Sequence, residues 1–269
     1  MGTKLTLRRI TARPVLLTLK RPVVARIATI TEWPLVLIDL ETEEGIVGRS
    51  YLEPYTSKTM TYLVPALHDL GEALNGSEVA PVDLYGLARK SLHFVGYEGL
   101  SAIAVSGVDM AAWDALAKAA GKPLCEVLGG SVGSVRAYNS NGLWLQDASA
   151  VAEEAAVLRD EGGFTGLKLR LGRDRLADDL ATIKAVRRVV GDDMHLMVDF
   201  NQGLDFAEAQ ERCQRIDNMG LTWIEEPIVY DNLEGYRRLA SDLRTPIQIG
   251  ENFYGPRALH RALELQACD

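Results

Sequence analysis

The sequence predicts an α+β segment followed by an α/β segment that forms a parallel sheet or barrel. Up to about residue 130, strand-like stretches come first and helical stretches follow, which is typical of α+β domains. After Gly130, short apolar strands alternate strictly with amphipathic helices, and repeated βα units of this kind build parallel sheets or barrels. We therefore expect two domains, at residues 1–130 and 131–269.

Composition excludes several classes of function. The chain has 29 Lys and Arg against 37 Asp and Glu, so its formal net charge of −8 disfavours nucleic acid as a partner. No apolar run approaches the roughly 18–20 residues of a membrane span, and residues 1–19 resemble a strand rather than a signal peptide. Three widely spaced cysteines without a Cys-x-x-Cys pair indicate reduced thiols and a cytoplasmic protein.

The first segment begins with β-branched, alternating sequence over residues 4–55. The stretch 34–48 reads as strand, charged turn with glycine, and strand, which predicts a hairpin. Residues 58–121 carry apolar side chains at helical spacing. One predicted apolar stripe consists of Tyr62, Leu63, Leu67, Leu70 and Leu74, and the other of Val105, Val108, Ala112, Leu116 and Ala119.

The second segment contains five predicted βα units. We expect strands near 135–138, 166–171, 196–200, 222–225 and 246–250. We expect helices near 148–160, 175–190, 206–218, 233–242 and 256–265. A closed barrel has eight such units, so about three more, or roughly 80–90 residues, would be needed to complete it.

Three successive predicted strands each end in an acidic residue. These residues are Asp199, Glu225 and Glu251, and 26 positions separate each from the next. Equal spacing across one βα unit places their carboxylates on the same rim, where they repel unless they are protonated or neutralised by a cation. Hard oxygen ligands of this kind suit Mg²⁺. A single acid at a strand end more often caps a helix or faces solvent, but three in register favour a metal site.

Two basic residues precede these acids by one unit. Lys168 and Arg170 are two positions apart on a predicted strand, so their side chains share a face and their apolar neighbours point the other way. Two cations beside the acids are either a structural ion pair or part of an active site. Together with the three acids, they favour an active site.

At this point the residues resemble the mandelate racemase branch of the enolase superfamily, and the similarity extends over the whole chain. The motifs that carry this resemblance are VLIDL at 36–40, GRSYL at 48–52, GVDMAAWD at 107–114, VDFNQ at 198–202, WIEEP at 223–227 and GEN at 250–252.

The resemblance implies an α+β capping domain over a (β/α)₇β barrel, of which this chain carries about five units. It implies that Mg²⁺ is bound by Asp199, Glu225 and Glu251, with the first rather than the second Glu of the WIEEP motif as the ligand. It also implies abstraction of the α-proton of a 2-hydroxy carboxylate through a metal-stabilised enediolate, as in racemases, epimerases and acid-sugar dehydratases.

Further roles follow from the resemblance alone. Lys168 would hold the substrate carboxylate, and Ser140 and Asn201 match positions near the substrate. Tyr55 matches a position on a capping loop that closes over the site. The loops around 21–31 and 53–58 would set specificity for a small hydroxy-acid substrate. Full-length relatives commonly form oligomers, so a homo-oligomer is expected.

The sequence departs from the family pattern at the catalytic bases. Arg170 replaces the second lysine of the usual Lys-x-Lys motif, and an arginine stays protonated and is a poor base. The His–Asp pair of later barrel strands lies beyond Asp269, and we assign surface or packing roles to His68, His93, His195 and His260. Two hypotheses remain open: part of a Mg²⁺-dependent enzyme, or an incomplete fragment or pseudo-enzyme that binds only metal.

Overall fold

The computed structural model describes residues 4–269, and the chain forms two compact units. The first contains the residues up to Leu19 together with Glu32–Ser134, and the second contains Lys20–Thr31 and Val135–Asp269. The change from one unit to the other at residue 135 lies close to the predicted boundary at 130. We predicted two contiguous domains, so the assignment of Lys20–Thr31 to the second unit was not predicted. Met1, Gly2 and Thr3, which begin the predicted first domain and N-terminal strand, lie outside the described residues.

The strands of the first unit belong to a three-stranded sheet of order β1-β2-β3. Its strands are β1 (Leu7–Val24), β2 (Thr29–Thr42) and β3 (Val47–Leu52). The antiparallel pairing of β2 with β3 confirms the hairpin predicted over residues 34–48. The predicted loop at 21–31 is mostly strand, because β1 and β2 continue to a short turn at residues 25–28 that is closed by backbone hydrogen bonds between Ala25 and Ala28.

Helices of the first unit account for the predicted helical stretch 58–121. They are α1 (Ser57–Leu74), α2 (Pro81–Ser91) and α3 (Leu100–Ala120), followed by the short α4 (Leu124–Val127). The side chain of Thr56 caps α1 by accepting a hydrogen bond from the backbone N–H of Thr59. Most of the first predicted stripe is buried, but Tyr62 is exposed, because it lies one position outside the Leu63, Leu67 and Leu70 face.

The helix α3 packs closely against β3 and also contacts α1 and α2. By length and composition α3 could cross a membrane, so the expectation that no segment reaches this length was wrong. Half of its apolar stretch is buried in the protein, which is the usual condition of a core helix. Small residues permit the close packing: a Cβ on Gly48 would lie 2.0 Å from the carbonyl oxygen of Ala111.

The second unit contains a parallel sheet of order β4-β5-β6-β7. Its strands are β4 (Gly166–Arg170), β5 (His195–Asp199), β6 (Ile224–Glu225) and β7 (Ile247–Gln248). Its helices are α5 (Ala148–Asp160), α6 (Leu176–Val190), α7 (Phe206–Ile216), α8 (Leu233–Asp242) and α9 (Pro256–Glu264). All five helices and four of the five strands agree with the predicted βα units to within a few residues.

The first predicted strand of this unit, at 135–138, does not form. Only an isolated parallel bridge joins Asn139 to Leu167, and Val135 is exposed. Residues 135–138 are not part of the four-stranded sheet, whose order is β4-β5-β6-β7. Leu169 of β4, Val198 of β5, and Val186 of α6 are among the buried side chains of a core that runs through the whole unit.

The contact between β3 and α3 predicts a difference between two glycines. Gly48→Ala should lower the free energy of unfolding by about 1–3 kcal/mol, because the new methyl group meets backbone atoms that cannot move aside. Gly86→Ala is the matched control: Gly86 is exposed on α2 with open space at its Cβ position, so this change should stabilise by about 0.5–1 kcal/mol. Urea unfolding followed by circular dichroism measures both, and equal effects would contradict the packing described here.

Candidate active site

The carboxyl ends of β4, β5 and β6 bring charged side chains together. Asp199 and Glu225 are the last residues of their strands and lie opposite each other in the parallel register, and Arg170 pairs with Asp199 in the same way. Alternating side-chain direction places Lys168 on the same face of β4 as Arg170. All four side chains are buried, which is rare for charged groups unless they are paired.

The ammonium group of Lys168 lies between two carboxylates. Its Nζ is 3.0 Å from Asp199 Oδ2 and 2.6 Å from Glu225 Oε1. Burial alone would lower the pKa of Lys168, and the charge of Arg170 lowers it further. The charges of Asp199 and Glu225 outweigh both effects and hold the pKa above its usual value. Lys168 is therefore a fixed positive charge in this arrangement, as a residue that binds a substrate carboxylate must be.

Arg170 approaches the same carboxylate oxygen of Asp199 as Lys168 does. Its Nε lies 3.6 Å from Asp199 Oδ2, which is ion-pair distance but too long for a hydrogen bond. Its guanidinium stacks over the indole ring of Trp144, with Cζ 4.6 Å from the ring centroid. Both predicted catalytic residues thus lie at the predicted strand end and contact a predicted metal ligand.

The third predicted ligand, Glu251, is placed differently. It follows β7 in a turn, and the residue is exposed to solvent. Local desolvation and then the charges of Glu226, Asp199 and Glu225 raise its pKa to about 7. Because the residue still reaches solvent, the neighbouring carboxylates are the cause that the geometry supports best.

The described residues do not form a preassembled metal centre. Over residues 4–269, no three His, Cys, Asp or Glu side chains are arranged so that they could hold a metal ion. Two features account for this result: the Lys168 ammonium lies between Asp199 and Glu225, and Glu251 lies in an exposed turn. The predicted set of three ligands therefore remains a prediction.

The chemistry of the donor set nevertheless fits a divalent cation. Four carboxylates, from Asp199, Glu225, Glu226 and Glu251, influence one another electrostatically. Two basic side chains, Lys168 and Arg170, face them. Carboxylate oxygens are the ligands that Mg²⁺ prefers.

Glu226 points toward the loops rather than toward Lys168. Its carboxylate accepts hydrogen bonds from Gln202 Nε2 at 2.8 Å and from the backbone N–H of Gly250 at 3.3 Å. Gln202 also donates to Asn252 Oδ1, so one side chain links the turns that follow β5, β6 and β7. This arrangement favours Glu225 over Glu226 as the acid that faces the site.

The predicted substrate-binding residues lie in different settings. Asn201 donates from Nδ2 to Asp199 Oδ2 at 3.2 Å, and its φ of 47° is in the left-handed region. Ser140 follows Asn139, whose carbonyl accepts a hydrogen bond from the backbone N–H of Lys168. Tyr55 belongs to the first unit, and its role at the site remains a prediction.

Positive φ angles are concentrated at these strand ends. Asn201, Gln202 and Glu226 have φ values of 47°, 60° and 38°. Residues other than glycine rarely adopt this conformation, and such strain is commonly found at functional sites. The backbone therefore turns sharply immediately after the two buried acids of β5 and β6.

The four histidines make their contacts elsewhere. His68 accepts a hydrogen bond from Ala12, and the ring of His93 meets that of Phe94. His195 starts β5 at the end opposite Asp199, and its ring lies 3.2 Å from Arg136. His260 lies on α9 and faces Glu264. These positions agree with the packing and surface roles predicted for them.

A buried ionic network that the sequence did not reveal supports the loop after β4. Asp179 on α6 accepts hydrogen bonds from the backbone N–H groups of Gly172 and Arg173. Arg212 on α7 contacts Asp179 at 2.7 Å and Glu208 at 2.6 Å, and Glu208 in turn pairs with Arg26 at the tip of the β1–β2 hairpin. The network therefore connects the hairpin tip to the loop that follows Arg170.

Trp144 is a further residue that the sequence reasoning missed. It is buried beside Arg170, and the adjacent Leu143 carbonyl accepts a hydrogen bond from the backbone N–H of Arg170. A tryptophan in the loop after the first predicted strand was the available signal. An indole carries both an apolar ring and an N–H donor, and a buried one needs a partner for that donor.

Comparison with known proteins identifies the family of this chain. Residues 8–129 match the model of the mandelate racemase/muconate lactonizing enzyme N-terminal domain, and residues 150–269 match the enolase C-terminal domain-like model. The chain belongs to the mandelate racemase/muconate lactonizing enzyme family. An enolase from alpha pretobacterium bal199 with bound Mg is 64% identical, with a TM-score of 0.96, and the match covers 98% of this chain and 74% of that one.

Two other members of the family illustrate its range. An enolase from Bradyrhizobium complexed with magnesium and mandelic acid is 42% identical, with a TM-score of 0.93, over 100% of this chain and 74% of that one. The L-talarate/galactarate dehydratase of Salmonella typhimurium is 32% identical over 82% of this chain and 56% of its own length. Further curated family members are named as dehydratases, racemases and epimerases. The chain spans 56–63% of the length of the first three curated family members that it matches.

The position of Lys168 predicts a stability effect in the absence of metal. Lys168→Met should lower the free energy of unfolding by about 3 kcal/mol or more in EDTA, because Asp199 and Glu225 stay buried without their counter-charge. Lys184→Met, on the exposed face of α6, is the control and should change it by less than about 0.5 kcal/mol. Urea unfolding measures both, and a Lys168→Met chain as stable as the control would rule out a stabilising role for this cluster.

Proposed function

We propose that this chain carries the metal-binding and substrate-binding half of a Mg²⁺-dependent enzyme that removes the α-proton of a 2-hydroxy carboxylate. The reaction class is that of a racemase, an epimerase or an acid-sugar dehydratase. The observation that carries the proposal is the buried set of Asp199, Glu225 and Lys168 at the ends of three parallel strands. One family member with bound Mg and another complexed with magnesium and mandelic acid support the choice of metal and substrate class.

Asp199, Glu225 and Glu251 would hold the cation. When bound, Mg²⁺ supplies a Lewis acid that offsets the negative charge gained by the substrate carboxylate as the α-proton leaves. Lys168 adds a second positive charge from the protein, because its ammonium group is buried and paired with the carboxylates of Asp199 and Glu225. A buried charge acts more strongly on the substrate than an exposed one, since less water screens it.

The chemistry of its own side chain excludes Arg170 as the base. A guanidinium group stays protonated at physiological pH, so Arg170 can donate hydrogen bonds but cannot accept the α-proton. The histidines of the described chain make their contacts away from the acids. We therefore assign proton removal to a residue other than Lys168, Arg170, Asp199 and Glu225. We assign binding and charge stabilisation to these four residues.

The second candidate is a chain that binds metal without turnover. The arginine at position 170 favours it, because this position is a catalytic base in the family that the chain resembles, and arginine is a poor base. In this case the acids would still bind Mg²⁺, but the α-proton of the substrate would not exchange with solvent. The two candidates therefore agree on metal binding and differ on exchange.

Adjacent glutamates provide a matched test of the metal ligands. Glu225→Gln should weaken Mg²⁺ binding by about 100-fold or more, since loss of a ligand should cost at least as much as loss of an outer partner. Glu226→Gln should change the affinity by only a few-fold, because Glu226 hydrogen-bonds the loops instead. Isothermal titration calorimetry with MgCl₂ measures both. A larger loss in Glu226→Gln than in Glu225→Gln would overturn the assignment.

Deuterium exchange separates the two candidates. A chain extended by the C-terminal part of the bal199 family member should incorporate deuterium at the α-carbon of a 2-hydroxy acid in D₂O with Mg²⁺, and EDTA should stop the exchange. Mass spectrometry of a library of aryl-hydroxy acids and sugar acids detects incorporation, with Asp199→Asn as the inactive control. Exchange by the extended chain supports the enzyme, whereas its absence across the library, with Mg²⁺ still bound, favours the metal-binding candidate.

A further inference from the structure

The helix α3 is apolar on nearly all sides, yet only part of it is covered. Its buried residues pack among β3, α1 and α2. Another side carries Ile103, Ser106, Met110 and Trp113, which recur at helical spacing and are half-buried or exposed. A helix without a polar side is normally covered all round, so residues 4–269 leave this side of α3 incompletely covered.

Exposed apolar residues adjoin this side at the start of α3. Phe94, in the loop between α2 and α3, is fully exposed, and Val95 is 79% exposed. Leu100 is the first residue of α3 and is 42% exposed, and Met110 is 43% exposed. Apolar surface of this kind, bordered by polar residues, is typical of contact sites between proteins. We define the α3 face as Phe94, Leu100, Ile103, Met110 and Trp113.

Two opposite charges border the α3 face. Among the described residues, neither Arg89 of α2 nor Asp109 of α3 has an ion-pair partner. The guanidinium of Arg89 stacks instead on the ring of Tyr97, with its Cζ 4.4 Å from the centroid. Burial and the hydrogen bond to Tyr85 raise the pKa of Tyr97, and the charge of Arg89 lowers it while that of Asp109 raises it. Both charges therefore lie near this one tyrosine.

Asp109 is a partly buried acid whose charge is not compensated. Burial raises the pKa of its carboxyl group above the usual value, and a hydrogen bond from Trp113 offsets only part of this effect. A cation brought to Asp109 by another molecule would favour the charged carboxylate. Arg89 is a cation of this kind, because its side-chain donors have no protein acceptor within residues 4–269.

We propose that the α3 face is the contact surface for a second copy of this chain, related to the first by a two-fold axis. In such a contact the same patch is used on both copies, so Arg89 of one copy pairs with Asp109 of the other, and the reverse pair forms as well. Phe94 and Met110 supply the apolar centre of the contact. The inference is independent of the proposed function, because all of these residues belong to the first unit.

A membrane surface fits the α3 face less well than a second copy does. By length and composition α3 could cross a membrane, but half of its apolar stretch is buried in the protein. Helices that lie on membranes border their apolar side with lysine and arginine, because many lipid headgroups are anionic. Asp109 would meet further negative charge at such a surface, whereas a second copy offers it Arg89.

Sedimentation equilibrium of the 269-residue chain tests the α3 face. The parent chain should sediment as a dimer, and Met110→Glu should weaken the dimer about 100-fold or more, because an unpaired charge would be buried in the contact. Val157→Glu is the matched control, since Val157 is an exposed apolar residue on α5, in the second unit. This control should change the dissociation constant by less than about 3-fold. Circular dichroism checks that both variants fold.

Charge reversal tests the pairing across the two-fold axis. Arg89→Glu and Asp109→Lys should each weaken the dimer about 10-fold or more, because each places like charges opposite one another. The double variant restores opposite charges, so its dissociation constant should return to within about 3-fold of the parent value. Recovery of this kind distinguishes a contact between copies from a merely structural role of either residue.

Each contrary outcome has a definite meaning. A parent chain that is monomeric at every concentration, or a dimer that Met110→Glu leaves intact, would overturn the α3 face as the contact surface. Weakening by both single reversals without recovery in the double variant would overturn the pairing of Arg89 with Asp109. Co-sedimentation of a monomeric chain with vesicles of phosphatidylcholine and phosphatidylserine would assign the face to a membrane instead.

Discussion

The ion pair of Lys168 with Asp199 and Glu225 is the interaction on which the site depends. Parallel pairing of β4, β5 and β6 brings the three side chains to one edge, and burial makes each charge costly without the others. Three neighbouring side chains contact this cluster: Arg170 and Asn201 approach Asp199, and Trp223 Nε1 donates a hydrogen bond to Glu225 at 3.0 Å. Burying these charged side chains at the strand ends costs stability, and it also concentrates the electrostatic field there.

The strand ends are held in place from outside by polar contacts. Asp179 secures the backbone after β4, and Gln202 joins the turns after β5, β6 and β7. The stem of Arg26 lies against the position of Gly203, where an added Cβ would be 3.1 Å from Arg26 and 2.9 Å from the carbonyl oxygen of Phe200, so a larger residue there would require these atoms to shift. The charged residues thus lie on rigid strands, and their orientation depends on a second set of buried partners.

Much of this arrangement could be predicted from the sequence, and the reasons are local. The helices α5 and α8 have the predicted bounds, because apolar periodicity defines them without help from distant residues, and the Asn232 side chain caps α8 by accepting a hydrogen bond from the backbone N–H of Gly235. The equal spacing of Asp199, Glu225 and Glu251 predicted a shared edge, and the structure places Asp199 and Glu225 there as neighbours. The failed strand at 135–138 and the extended hairpin around 21–31 depended on partners far along the chain. The contacts of Trp144 and Asp179 are tertiary for the same reason, so no pattern of spacing could reveal them.

The left-handed backbone at Asn201 has a consequence for how this protein can vary. Asparagine, aspartate and glycine tolerate such a backbone better than other residues, and of these only asparagine offers both an amide donor for Asp199 and a second free oxygen. A β-branched residue at this position would be disfavoured sterically by the left-handed backbone, whatever its side-chain chemistry. Substitutions at position 201 are therefore expected to be restricted mainly to asparagine, aspartate and glycine.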